Sequence, residues 1–99
     1  MDIEHLGNLK IKLFYLIGIF AKDLNLCYLL TKKLEHITNL LKLYQTKKTI
    51  YHNVKIIFLK IKINFIDKKL NLFYPIIKRL ENKSILDLRI TFRQITKGK

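Results

Sequence analysis

The period with which apolar residues recur sets the strongest limit on how this chain can fold, because it separates strands from helices before any other property is consulted. From Leu86 to Ile95 it is close to two: Leu86, Leu88, Ile90 and Phe92 fall on one side, and Asp87, Arg89, Thr91 and Arg93 on the other. Val54 to Phe65 behaves alike, with Leu59, Ile61, Ile63 and Phe65 opposed to Lys60, Lys62 and Asn64. Both stretches predict strands. Lys10 to Phe20 opens on the alternation Lys10-Ile11-Lys12-Leu13 and runs into Phe14 to Phe20, an apolar run expected of a central strand buried on both faces. Gly18 is expected to mark a bulge or the strand's end.

Between these stretches the period lengthens. Cys27, Leu30, Leu34, Ile37 and Leu41 recur at three and four, which predicts a helix over Asp23 to Leu43 with Lys32, Lys33, Glu35, His36 and Asn39 off its apolar stripe. Asp23 is its expected N-cap. Leu70, Phe73, Ile77 and Leu80 predict a second helix over Asp67 to Asn82, with Asp67 as cap. Pro75 requires that this helix either start near it or kink, since an interior proline costs about 3 kcal/mol. A short strand is expected in Gln45 to Asn53, centred on Thr49-Ile50-Tyr51. The order strand, helix, weak strand, strand, helix, strand predicts an α+β fold: a ferredoxin-like βαββαβ unit with two helices on one face of a four-stranded antiparallel sheet.

Ninety-nine residues are expected to form one domain (1–99) around one core, with a loose basic end over 96–99. Lys and Arg number 20 against 7 Asp and Glu, a net charge of +13 that calls for an anionic partner. Residues 1–46 hold 6 cations and 4 anions, and residues 47–99 hold 14 and 3, so the partner is expected on the second half. An apolar fraction of 49% is too high for a disordered basic tail.

The expected partner is RNA, bound by phosphate neutralisation through Lys47, Lys48, Lys60, Lys62, Arg89, Arg93, Lys97 and Lys99, with Thr46 and Tyr51 beside them. The competing reading is that lysines on a strand face only solvate it. Tyr51, Phe58, Tyr74 and Phe92 lie among the cations, and Tyr51 and Tyr74 are the candidates for stacking on bases, since Phe73 and Phe92 sit on apolar stripes. The RNA recognition motif needs glycines that Val54 to Ile63 lacks.

Cys27 is alone, and the scattered His5, His36 and His52 form no pair with metal-ligand spacing, so neither a disulfide framework nor a metal site is expected. Asp67, Glu81 and Asp87 are unpaired with one another or with a histidine and are expected to be a cap and surface charges. With no Gly-rich phosphate loop or nucleophile elbow, a non-enzyme without a cofactor or small-molecule substrate is expected. The uncharged run Leu13 to Ala21 falls short of the roughly 20 residues a membrane span needs. Met1-Asp2-Ile3-Glu4 is acidic where a targeting segment is basic, so the protein is expected to act where it is made or to have lost its signal. Ile, Leu, Lys and Asn dominate, and Ala21 and Pro75 are single occurrences, a bias expected of an A+T-rich organelle gene.

Arg79-Leu80, five residues, then Leu86-Asp87-Leu88-Arg89-Ile90 resembles the closing helix and strand of the universal small-subunit ribosomal protein ten, whose pattern is Arg-Leu, five residues, then Val-Asp-Val-x-Ile. Leu9 to Leu13 looks like that family's first strand, and Thr46-Lys47-Lys48 with Tyr51 like its Pro-Thr-basic-basic stretch. The family's long loop is missing, since after Tyr51 only His52-Asn53 separates the two expected strands. The small-subunit ribosomal protein six is the runner-up: Asp23 to Leu43 and Ile77 to Phe92 resemble its helices and last strand.

The resemblance implies a βαββαβ subunit set into ribosomal RNA beside neighbouring small-subunit proteins, with Thr46, Lys47 and Lys48 as RNA contacts. The expectation is therefore a structural constituent of the small subunit of an organellar ribosome, in the mitochondrial matrix or a plastid. The alternative is an accessory interaction subunit of an organellar membrane complex, with cations against anionic lipid.

Overall fold

The computed structural model describes residues 3–46 and 50–97, and among them it contains five α-helices and no strand. They are α1 (Ile3–Ile19), α2 (Leu24–Gln45), α3 (Ile50–Phe73), α4 (Pro75–Glu81) and α5 (Ile85–Lys97). The α+β ferredoxin-like expectation is thereby corrected to an all-helical one. Each expected strand is a helix: Lys10 to Phe20 lies largely in α1, Val54 to Phe65 in the middle of α3, and Leu86 to Ile95 in α5. The weak strand over Gln45 to Asn53 falls on the end of α2 and the start of α3, its Thr49 lying outside the described residues.

The misleading alternation in α3 has a physical origin. The residues turned inward are His52, Ile56, Leu59, Ile63, Ile66 and Leu70, spaced four and three in strict succession, and all are buried or half-buried. Val54, Phe58, Ile61, Phe65 and Leu72 are also apolar but lie on the opposite side, exposed. Two apolar seams offset by two residues put Leu59 and Ile63 in one and Ile61 and Phe65 in the other. A linear reading of that sequence shows period two although the backbone has period 3.6.

Local signals fix the helix ends. The Asp23 carboxylate accepts from the Leu26 amide at 3.1 Å and caps α2, as expected. Asp67 is no cap, for it lies well inside α3. Pro75 stands at the first turn of α4, where its missing amide costs nothing, so α3 ends at Phe73 and a separate short helix begins. The Ser84 hydroxyl accepts from the Asp87 amide at 3.1 Å and starts α5.

The helices form a row. α1 packs between α2 and α5, α2 between α1 and α3, and α4 reaches from α3 back to α1. The core comprises Leu6, Leu13 and Leu16 of α1, Leu26, Leu30, Ile37 and Leu40 of α2, Ile56, Ile63, Ile66 and Leu70 of α3, Ile77 of α4 and Leu88 of α5. Burying such a side chain contributes about 1.5–3 kcal/mol. Gly18 is neither bulge nor strand end. It lies inside α1 against the ring of Phe92, where a Cβ would collide with that ring, and Phe92 also packs on Tyr15 with ring centroids 5.9 Å apart.

Lys33, expected off the apolar stripe, is 2% exposed and sits in the seam between Leu30 and Ile37. Its ammonium lies 2.6 Å from Asp67 Oδ1 on α3 and 2.8 Å from Glu81 Oε1 on α4. The two carboxylates expected as a cap and a surface charge are thus partners of a buried cation. Lys12 Nζ of α1 donates to the Glu81 carbonyl at 2.8 Å, so four helices meet in this cluster.

Lys33→Met leaves two facing carboxylates that keep some access to water, and is expected to cost about 1–3 kcal/mol in urea unfolding; replacing Asp67 and Glu81 by Leu in the same chain is expected to recover most of that loss. Gly18→Leu is expected to lower the melting temperature and to shift the Phe92 ring resonances, because the ring must leave α1.

Candidate nucleic-acid interface

Lysines repeat at positions 55, 62 and 69, seven residues apart, so they stand in line along one flank of α3. That flank faces α2, and the two helices enclose an open groove. One end, of about 350 Å³, is lined by Lys42 of α2 and by Lys55, Phe58 and Lys62 of α3, over a floor of Leu43 and Leu59. The other end, of about 340 Å³, is lined by Tyr28, Lys32 and His36 of α2 and by Lys62, Phe65 and Lys69 of α3. Lys62 borders both ends.

The groove is cationic and aromatic together. Lys55 Nζ stands 4.6 Å from the Tyr51 ring centroid and Lys32 Nζ 5.8 Å from that of Tyr28, distances at which the ring face attracts the charge. Among the described residues, Lys42, Lys55, Lys62 and Lys69 have no carboxylate partner, and Lys32 has only an exposed bridge to Glu35 at 3.6 Å. Exposed bridges of this kind contribute little. Phosphates placed here would meet five ammonium groups, and unpaired bases would find rings to lie against.

The structure divides the residues expected from sequence to touch RNA. Lys62 borders the groove, and Tyr51 stands beside it with its ring against Lys55. Lys60 does not: two residues from Lys62 means about 200° around a helix, so the shared strand face expected for these two lysines does not exist. Arg89, Arg93 and Lys97 form an exposed stripe on α5, which packs on α1 and not along the groove. Thr46 terminates α2, where its hydroxyl donates to the Leu43 carbonyl at 3.1 Å and pairs with His52 Nε2 at 2.8 Å. Lys47, Lys48 and Lys99 lie outside the described residues. Tyr74 is half-buried against the core, whereas Phe73, expected on an apolar stripe, is exposed. The sequence reading passed over Lys32, Lys42, Lys55, Lys69, Tyr28 and Phe65; the seven-residue recurrence of Lys55, Lys62 and Lys69 was the signal that would have found half of the cations.

Cys27 donates its thiol to the Phe20 carbonyl at 3.0 Å, and burial, with the Asp23 carboxylate nearby, pushes its pKa up, which keeps it protonated and weakly nucleophilic. Among the described residues no cluster of His, Cys, Asp and Glu could hold a metal, and no helix is long and apolar enough to cross a membrane. No protein-family model matches the chain, and no curated protein or solved structure is significantly similar to it.

His36 reports on the groove. Burial first, then the Lys62 ammonium and more weakly that of Lys32, hold its pKa below the ordinary 6.5, with Glu35 partly opposing. The unfolded chain therefore takes up this proton at higher pH than the folded one. The associated stability is full above pH 6.5 and is lost as pH falls through the lower folded value. An oligouridylate that neutralises Lys62 and Lys32 is expected to raise the His36 pKa in an NMR titration; an unmoved value would show that no phosphate sits at this end.

Proposed function

We propose that this chain is a non-catalytic RNA-binding subunit of a ribonucleoprotein particle, and that the particle is the small subunit of an organellar, mitochondrial ribosome. The observation that carries the RNA reading is the α2–α3 groove, where five lysines and three aromatic rings (Tyr28, Phe58 and Phe65) line one surface, with the Tyr51 ring against Lys55 and Glu35 paired to Lys32. A helical scaffold with a cationic, ring-lined groove suits a single strand, whose phosphates and bases are both accessible. The Arg89, Arg93 and Lys97 stripe on α5 supplies a second, purely electrostatic surface on another side of the molecule. The ribosomal assignment draws on the charge and on the A+T-rich composition. It draws nothing from the fold, because the helix and strand that the tail pattern of ribosomal protein ten would occupy are two helices here, α4 and α5.

Affinity for an oligouridylate is expected to fall with salt, and Lys55→Ala and Lys62→Ala are each expected to lower the slope of log K against log salt by about 0.7. Lys60→Ala, on the other side of α3, is expected to leave it unchanged, and an equal loss from Lys60→Ala would remove the groove from the account. In organelle extracts the protein is expected to sediment with the small ribosomal particle through a moderate salt wash; sedimentation elsewhere sinks the ribosomal assignment while leaving the groove intact.

A second reading, an accessory interaction subunit of an organellar membrane complex, is favoured by the apolar side chains exposed along α3. Retention of the protein in membranes that lack ribosomes, lost on alkaline carbonate extraction, would select it.

A further inference from the structure

We propose that the outward face of α3 is a coiled-coil seam that receives an acidic amphipathic helix from another protein. This face shares Phe58, Phe65 and the Lys55, Lys62 and Lys69 flank with the rim of the α2–α3 groove, so an acidic helix and RNA would compete there; Val54 and Ile61 belong to the seam alone and separate the two readings.

Tyr51, Phe58, Phe65 and Leu72 recur every seven residues, and Val54, Ile61 and Lys68 recur every seven between them. Together they mark three and four residue steps along the whole outer side of α3, a run of about 32 Å at 1.5 Å per residue. The six apolar members are between 46% and 73% exposed. On the inward side the same spacing, from His52 to Leu70, turns toward α2. α3 therefore carries two seams of one design, of which the fold fills one.

The pattern selects the occupant. The exposed apolar residues of α3 fall mainly at the two repeating positions, with Ile57 and Phe73 outside them, and the lysines on one flank together with Lys68 make the seam cationic, which matches an acidic helix. Lys68 interrupts the seam at a position that would face the partner, where a single polar residue fixes register at some cost in stability. One flank consists of Lys55, Lys62 and Lys69 and the other of Ile57, Asn64 and Asn71, so the face bears no carboxylate. Asp67, the one acid in α3, is turned inward to Lys33.

A second copy of the chain fits badly. An antiparallel pairing would set the lysine flank against itself, and a parallel one would set it against Ile57, Asn64 and Asn71, with a net charge of +13 on each copy. A helix with apolar residues at seam positions and Glu or Asp along its flanks satisfies every cation on the face, including one carboxylate opposite Lys68.

The test titrates the full chain with a synthetic three-heptad peptide carrying Leu at seam positions and Glu at flanking ones, and with a second peptide of identical composition whose Leu positions are scrambled. Circular dichroism reads induced helicity and fluorescence anisotropy reads affinity. The ordered peptide is expected to gain helix on binding and to bind at least about tenfold more tightly than the scrambled one. Val54→Ser/Ile61→Ser, at exposed positions away from the groove, is expected to weaken the ordered peptide by at least about tenfold while leaving the chain's own helicity and its oligouridylate affinity unchanged. Equal binding of the two peptides overturns the proposal. So does a result in which the double variant loses binding to phosphatidylglycerol vesicles but not to the peptide, which marks a lipid face, or one in which the chain alone sediments as a dimer that the double variant dissociates.

Discussion

The ammonium of Lys33 is the constraint around which the helices are arranged. A charge 2% exposed cannot remain without partners, because desolvating it costs several kcal/mol that only close carboxylates and good geometry return. Asp67 and Glu81 supply them from two different helices. The apolar seams are permissive by comparison: leucines and isoleucines spaced four and three would pack in neighbouring registers, one turn up or down, with similar areas buried. The ion cluster singles out one register for α3 and one for α4 against α2, and Lys12 ties α1 to the same point. The break at Pro75 is what lets Glu81 return to that point, since a continuous α3 would carry it onward along the helix axis.

How much of this was legible in the sequence depends on what each helix has on its two sides. α2 was legible because its apolar residues occupy a broad arc between α1 and α3, and Asp23 announces its start. The boundary at Pro75 was legible for a covalent reason. α3 was not, because apolar residues on opposed sides imitate the alternation of a strand, and α5 misled in a related way, with Leu86 and Ile90 exposed while Leu88 is buried and Phe92 half-buried. α1 misled because Gly18 and a continuous apolar run suit a central strand as well as a helix flanked by two others. Lys33 illustrates the deeper limit: a cation on an apolar seam looks like an error in the seam until its partners, distant in sequence, are known.

The candidate site followed the same rule. The excess of cations in the second half was plain from counting, but counting does not say which of them face one another. Reading Lys60 and Lys62 as neighbours placed both on one surface; on a helix they part, and Lys62 joins Lys55 and Lys69 instead. The α2 contribution, Lys32, Lys42 and Tyr28, lies in the half of the chain whose charge is nearly balanced, and only packing brings it to the groove.

The packing of α5 on α1 joins the last helix described to the first. Consecutive helices such as α1 and α2 can associate as soon as both exist, since little chain separates them. The side of α1 that holds Gly18 must instead wait for Phe92, so during synthesis a greasy flank stays uncovered until α5 has been made. That interval, rather than the finished fold, is when this molecule most needs a chaperone or an early binding partner.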